Sequence, residues 1–206
     1  MLGKIIALIA LPILLGACAT TSPIASSDRG NVKSVTLSKN VPIPPKVYYL
    51  GPGDAIGLAI PVVGPFIMDP IIEESRESFQ GKTANVGASI DKIVYEETLS
   101  QIRQSGKFPL RDEAEPGGST IYVSVLSYGF SIPHGFSSKL VPILGIRYEM
   151  KDASGRVVWR AIDGTRPLGN PVESIDADEI RNNAAAREAA WRGAAKALAI
   201  KLVATY

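Results

Sequence analysis

The motifs that would arrange a nucleophile, a general base or a metal site are missing from this 206-residue chain. His134, in Ile132-Pro133-His134-Gly135, is the single histidine, which excludes a multi-histidine metal site. Gly51 and Gly53 would need a third glycine to complete a dinucleotide fingerprint, but that position is Ile56. The chain has no Gly-Lys-Ser/Thr phosphate loop and no Gly-x-Ser-x-Gly elbow. The sequence therefore predicts no catalytic residue, no cofactor and no metal site.

The acidic side chains that could form a site occur in three groups: Glu73, Glu74 and Glu77; Asp112, Glu113 and Glu115; and Asp176, Asp178 and Glu179. The first group suits the solvated side of a short helix over 70–80, and the second a solvated Pro-Gly-Gly loop. The third has the spacing of a helix cap and lacks the Asp-x-Asp-x-Asp-Gly loop that wraps calcium. Structural roles therefore explain all three groups, and no acid pair is predicted.

Cys18 is the single cysteine, and it follows Leu15-Gly16-Ala17 at the end of an apolar run. One lysine, an uncharged run over 5–15 and small residues before the cysteine are typical of a secretory signal peptide. The run is about half of the roughly 20 residues that a membrane span needs. Residues 15–18 resemble the lipobox of bacterial lipoproteins. The resemblance implies a diacylglyceryl group on the thiol, cleavage of the signal peptide 1–17, and acylation of the new amine.

The lipobox also bears on location and partners. Ala19 stands where the best-known inner-membrane lipoproteins have aspartate, so the resemblance implies an outer-membrane anchor that faces the periplasm. Residues 18–31 are predicted to be the lipidated cysteine and a flexible tether, with a typical reach of roughly 20 Å. Residues 32–206 are predicted to form a single periplasmic domain. With 22 basic and 20 acidic residues and no dense basic run, nucleic acid is not an expected partner.

Hydrophobic periodicity predicts the elements of that domain. Strands are predicted over 32–39, 46–50, 108–111, 121–130, 140–150 and 156–163, and long helices over 86–105 and 177–205. Asp152-Ala153-Ser154-Gly155 predicts a turn that joins the last two strands into a hairpin. The order predicts an α/β (α+β) domain, with a mixed or mostly antiparallel sheet of about five strands and two long helices packed on one face. The tryptophans and most tyrosines are predicted to be core and sheet residues.

Residues 55–68 are unusual because fourteen consecutive residues carry no charge. They are too short, and too broken by two prolines, to cross a bilayer as a helix. Two interpretations remain open: the stretch covers the domain's own sheet, or it is a loop that binds a partner or touches the membrane. On the second interpretation the contact residues are Ile56, Leu58, Ile60, Val62, Val63 and Phe66.

The hairpin sequence carries a second resemblance. Asp152, Gly155, Arg156, Val157 and Trp159, followed by an alanine-rich terminal helix, resemble a group of periplasmic lipoproteins. The group includes penicillin-binding-protein activators, the curli-secretion lipoprotein and the TolB amino-terminal domain, and the resemblance covers about residues 85–206. It implies a non-enzymatic adaptor or accessory factor for another envelope protein. The alternatives are a periplasmic hydrolase with an unrecognised site that uses an acid with or without His134, and a lipoprotein that binds a small molecule or lipid.

Overall fold

The computed structural model describes residues 21–45, 47–52, 89–135 and 137–206. In chain order the elements are α1 (Ser26–Arg29), β1 (Val35–Leu37), β2 (Tyr48–Leu50), α2 (Ile90–Ser105), β3 (Ser119–Ser131), β4 (Lys139–Lys151), β5 (Val157–Gly164), β6 (Ile175–Asp176), α3 (Ala177–Asn182) and α4 (Ala184–Ala204). The predictions for Cys18, the signal peptide, the stretch over 55–68 and the short helix over 70–80 lie outside the described residues.

The described strands form one mixed sheet around β3 and β4. These two 13-residue strands pair antiparallel, with a bulge between Val125 and Ser127. β5 pairs antiparallel with β4, while β1 and β2 pair parallel with opposite ends of β3. Gly129 allows the approach of β2, because a Cβ there would overlap the backbone oxygen of Tyr48. The predicted mixed sheet is confirmed, with six strands rather than about five.

The turn between β4 and β5 forms as the sequence predicts. Asp152 accepts hydrogen bonds through Oδ1 from the backbone nitrogens of Ser154 and Arg156, each at 3.0 Å. Gly155 has φ 84°, a conformation that glycine adopts without strain. The aspartate and the glycine therefore fix the register of the hairpin.

The two long helices pack against each other and against one face of the sheet. Ile93 and Ile102 of α2 are buried there, together with Leu198 and Leu202 of α4. The hydroxyl groups of Thr98 on α2 and Tyr148 on β4 lie 2.7 Å apart, which links the helix layer to the sheet. The predicted arrangement, with both helices on one face, is confirmed.

The C-terminal helix differs from the prediction because it is broken at Asn183. This residue has extended backbone angles, and its side chain accepts hydrogen bonds from the nitrogens of Ala185 and Ala186 at the start of α4. The buried guanidinium of Arg187 donates to the backbone oxygens of Ile180 and Arg181 near the end of α3. Side chains thus satisfy the backbone groups that the break leaves free, so two helices form in place of one.

Two further details depart from the sequence expectations. Asp176 caps α3 by accepting from the nitrogen of Asp178, rather than through the predicted capping box with Glu179. Residues 108–111 make an isolated bridge between Leu110 and Val35 instead of a strand.

Candidate functional site

The residues that could act in catalysis or bind a metal do not lie together in the described structure. His134 lies exposed in a loop, with Nδ1 3.2 Å from the backbone oxygen of Gly135. Within the described ranges, no group of three or more histidine, cysteine, aspartate or glutamate residues could hold a metal ion. Three of the acids that the sequence singled out lie in exposed ion pairs: Asp112 with Arg103 at 3.1 Å, Glu115 with Arg111 at 3.4 Å and Asp178 with Arg181 at 2.9 Å. Glu73, Glu74 and Glu77 lie outside the described residues.

The tryptophans are core residues, as the sequence predicts. Trp159 is 1% exposed, and Trp191 donates through Nε1 to the backbone oxygen of Gly129. Tyr148 and Tyr49 are also buried, but Tyr122 on β3 is 43% exposed. The prediction of core and sheet positions therefore holds, with Tyr122 as a sheet residue on the exposed side of β3.

The start of the described chain does not behave as the predicted tether. Ser22 and Arg160 of β5 exchange backbone hydrogen bonds of 2.8 and 3.1 Å, which adds a short edge pairing to the sheet. The hydroxyl of Thr21 lies 3.4 Å from both the nitrogen and the oxygen of Ile162. Ile24 is 6% exposed and belongs to the hydrophobic core. Residues 21–31 are thus part of the fold, which extends beyond the predicted boundary at residue 32.

Hydrogen bonds from two arginines link residues 21–31 to parts of the domain that are distant in sequence. Arg156, beyond the hairpin turn, donates to both carboxylate oxygens of Asp28 at 2.8 and 3.2 Å. Arg29 donates to the backbone oxygen of Tyr206, and its guanidinium lies 5.1 Å from the centre of that ring. The hydrogen bonds from Arg156 hold the pKa of Asp28 below its ordinary value. Segment 21–31, called here the mounting segment, is therefore held by backbone pairing, burial and charge.

The lowered pKa of Asp28 predicts that the stability gained from attaching the mounting segment depends on pH. A carboxylate with a lowered pKa in the folded state stabilises that state above its unfolded pKa of about 3.9, and the contribution is lost as the pH falls through the folded pKa. We expect Asp28→Asn to lower the melting temperature near neutral pH, and the difference from the parent protein to shrink as the pH falls below about 4. Thermal melts across this range measure it.

Asp112→Asn is the matched control for that experiment, because the Asp112 side chain is 88% exposed and pairs only at the surface. It should follow the parent protein at every pH. A difference between Asp28→Asn and the parent that stays constant with pH would contradict the assigned role of the Asp28 carboxylate.

The mounting segment also limits the distance between Cys18 and the fold. Two residues, Ala19 and Thr20, separate Cys18 from Thr21. The three steps from Cys18 to Thr21 each span at most about 3.6 Å in an extended chain. A lipid on Cys18 would thus be attached within roughly 11 Å of the sheet edge, and not at the end of a tether with a 20 Å reach. Since Ser22 pairs antiparallel with Arg160 while Thr21 contacts Ile162, the chain approaches from the Gly164 end of β5.

The sheet face opposite the helices, called here the outer face, carries the second notable surface. It comprises Tyr122, Leu126, Arg147, Glu149, Lys151 and Arg160. Tyr122 and Leu126 are 43% and 40% exposed. Lys151 Nζ lies 5.2 Å from the centre of the Tyr122 ring, and Arg160 pairs with Glu149 at 2.9 Å. The face therefore presents apolar side chains among three cations and one carboxylate.

Arg147 adds an unusual feature to the outer face. Its Nε is buried and has no hydrogen-bond partner within the described part of the chain. A buried donor without a partner costs about 1–3 kcal/mol.

The comparisons with known proteins are sparse. No family model matches the chain, and no curated protein matches it. Among solved structures, a PelC dodecamer from Paraburkholderia phytofirmans is 16% identical, with 90% of this chain and 91% of that chain covered and a TM-score of 0.39. A DUF330 protein from Xanthomonas campestris is 15% identical, with 55% and 58% covered and a TM-score of 0.38. These similarities carry no argument about the function of this chain. None of the described helices is long and apolar enough to span a membrane.

Proposed function

We propose that this protein is a lipid-anchored, non-enzymatic adaptor or accessory factor that holds another protein of the cell envelope close to the membrane. The pairing of Ser22 with β5 carries the proposal, because only three residues lie between Cys18 and this first residue that pairs with the sheet. An anchor this short keeps the domain at the membrane surface and restricts its orientation. A fixed orientation suits a protein whose task is to present one surface to a partner.

The anchor itself follows from the lipobox. One acyl chain holds a protein only marginally at a membrane, whereas two or more hold it stably. The lipobox resemblance gives Cys18 three acyl chains, and Ala19 favours the outer membrane, with the domain in the periplasm. Anchoring also raises the local concentration of the domain near other envelope proteins, so a weak contact becomes effective.

The outer face is the proposed contact surface for the partner. Its three cations against one carboxylate favour a protein surface with acidic side chains around an apolar centre. The surface predicted from sequence, Ile56, Leu58, Ile60, Val62, Val63 and Phe66, lies outside the described residues and stays a second prediction for the same partner.

Site-specific photocrosslinking in cells tests the adaptor function. A photoreactive phenylalanine analogue at Tyr122 should capture one discrete envelope protein, because that ring lies within the proposed contact. Adding Leu126→Asp should reduce capture about tenfold or more, since a charge at the centre of an apolar contact is costly. Leu126 is 40% exposed, so the melting temperature should change little. Cys18→Ala should also reduce capture, because the domain loses its membrane anchor.

The matched control places the same analogue at Ile43, which is 43% exposed, as Tyr122 is, but lies in the connection between β1 and β2. Ile43 should capture far less of the partner. Equal capture at both positions, or none at Tyr122, would refute the outer face as the contact. The hydrolase alternative would gain if His134→Ala abolished function in a protein that still melts normally and captures its partner.

A further inference from the structure

The surface nearest to the proposed lipid anchor has its own composition. Beyond Gly164, at the end of β5 from which the chain approaches Ser22, the backbone enters a loop in which Leu168 is 80% exposed. Leu168 is the most exposed large apolar side chain in the described part of the protein. Arg166, two residues earlier, is also exposed.

This loop adjoins the exposed side of α4. Leu168, Arg166 and Lys201 line one cavity of about 330 Å³, together with Ala197 of α4. Lys201 also pairs with Asp163, the penultimate residue of β5, at 3.5 Å. Ile200, beside Lys201 on α4, is 51% exposed. Arg166, Leu168, Ile200 and Lys201 are called here the edge patch.

The edge patch has the chemistry of a membrane-surface contact. Two exposed aliphatic side chains can enter the boundary between headgroups and acyl chains, and each buried CH₂ contributes about 0.8 kcal/mol. Arg166 can place its charged end among lipid phosphates while its aliphatic stem covers apolar surface. Asp163, the one acid that lines the cavity, is paired with Lys201 and so adds no free negative charge towards the lipid.

The short chain between Cys18 and Thr21 indicates that the edge patch faces the bilayer and not another protein. Thr21 contacts Ile162, which precedes Gly164 by two residues, or roughly 7 Å of strand. The lipid-bearing Cys18 can lie at most roughly 11 Å from Thr21. An anchor of this length brings the Gly164 end of β5, and the loop that follows it, to the membrane surface. Contact with the bilayer would therefore account for the exposed apolar side chain of Leu168 in this patch.

We infer that the edge patch rests in the headgroup region of the phospholipid bilayer that holds Cys18, and so fixes the orientation of the domain. The inference rests on the proposed lipidation of Cys18 and adds the surface that meets the lipid. In this orientation the lipid anchor and the edge patch form a two-point contact, which limits rotation of the domain about the anchor.

An environment-sensitive fluorophore tests the contact in the full-length lipidated protein. The lipid occupies the thiol of Cys18, so Leu168→Cys supplies the single reactive thiol for the label. The labelled protein is placed in vesicles of phosphatidylethanolamine with a minority of phosphatidylglycerol, some of which carry a spin label near the headgroup. We expect a blue-shifted emission and quenching by the spin-labelled lipid several-fold stronger than at a position distant from the membrane. Ile200→Cys should respond in the same way.

Val157→Cys is the matched control, because Val157 is 37% exposed at the opposite end of the same strand, roughly 23 Å along β5. Its label should show water-like emission and little quenching. Intact mass separates the two proposals: a protein without the mass of the lipid refutes the anchored function and the inference with it. A lipidated protein whose Leu168 and Val157 labels behave alike refutes the edge patch alone. A blue shift without lipid quenching would indicate contact with another protein and would also overturn the inference.

Discussion

A chain that ends after Ala190 is expected not to fold. The truncation removes Trp191 and the greater part of α4, including Ala194, Leu198 and Leu202, which are each at most 1% exposed. Large buried side chains contribute about 2–5 kcal/mol each by comparison with large-to-small substitutions, whereas a domain's whole stability is about 5–15 kcal/mol. α4 packs against α2, β4 and β5, so its loss also exposes the apolar faces of those elements. The truncated chain should show no cooperative thermal transition by circular dichroism.

Single substitutions on α4 distinguish the loss of one packed side chain from the loss of the whole C-terminal segment. Leu198→Ala should keep a cooperative transition but lower the free energy of unfolding by about 2–5 kcal/mol. Ile200→Ala, at a side chain that is 51% exposed, should change it by no more than about 0.5 kcal/mol. A truncated protein that still melts cooperatively would show that α4 is peripheral to the fold, against the burial of its inner face.

The elements that the sequence predicts well are those with a strong local signal. β3 and β4 are rich in β-branched and aromatic residues, and Asp152 and Gly155 occupy the positions that their turn requires. Gly106 ends α2 in the left-handed conformation, with φ 61°. In each case the residue type and the local backbone geometry agree, so one sequence window contains the information.

The sequence gives only a weak indication that the C-terminal helix breaks at Asn183. Alanine and other good helix formers on both sides of Asn183 favour a continuous helix, and periodicity does not distinguish one helix from two that are nearly continuous. The deciding interactions are the Asn183 cap and the hydrogen bonds from Arg187 back to Ile180 and Arg181. Asparagine is a preferred N-cap residue, so the signal was present but local propensity outweighed it.

The mounting segment could not be predicted from periodicity. Its small polar residues are typical of a flexible tether, and one isoleucine, Ile24, forms no repeating pattern. Its order comes from partners far away in sequence: Arg160 pairs with Ser22, Arg156 with Asp28, and Tyr206 with Arg29. Tertiary contacts of this kind overrule local composition.

The candidate surfaces were predictable only in part. Lipidation of Cys18 and the surface over 56–66 rest on sequence and stay predictions, because these residues lie outside the described ranges. The outer face was missed because both sides of β3 carry apolar residues: Val123 and Val125 are buried, while Tyr122 and Leu126 are exposed. Thr120 and Ser124 lie on the same side as Tyr122, so alternation indicates which side is buried. It does not show that Tyr122 and Leu126 are exposed together as one surface.

Trp159→Ala is expected to cause the largest loss of stability of any single substitution considered. Trp159 is 1% exposed, and its ring centre lies 5.8 Å from that of Phe108, 5.9 Å from Tyr148 and 5.7 Å from Tyr206. Its Nε1 donates to the hydroxyl of Thr205 at 3.1 Å. Truncation of a buried tryptophan costs about 3–5 kcal/mol, which corresponds to a fall in melting temperature of roughly 6–20 °C for a domain of this size.

Two variants show which property of the indole matters. Trp159→Phe keeps an aromatic ring in the cluster but removes the donor to Thr205, so it should cost less than alanine, about 1–3 kcal/mol. Tyr122→Ala removes an aromatic ring of similar size from the exposed outer face and should cost about 1 kcal/mol or less, since that ring is already 43% in contact with solvent. Denaturant unfolding of the three variants gives the ranking. If Trp159→Ala lost no more stability than Tyr122→Ala, the aromatic cluster would contribute little to the fold. The attachment of Arg29 to Tyr206 would then not connect the mounting segment to a rigid part of the core.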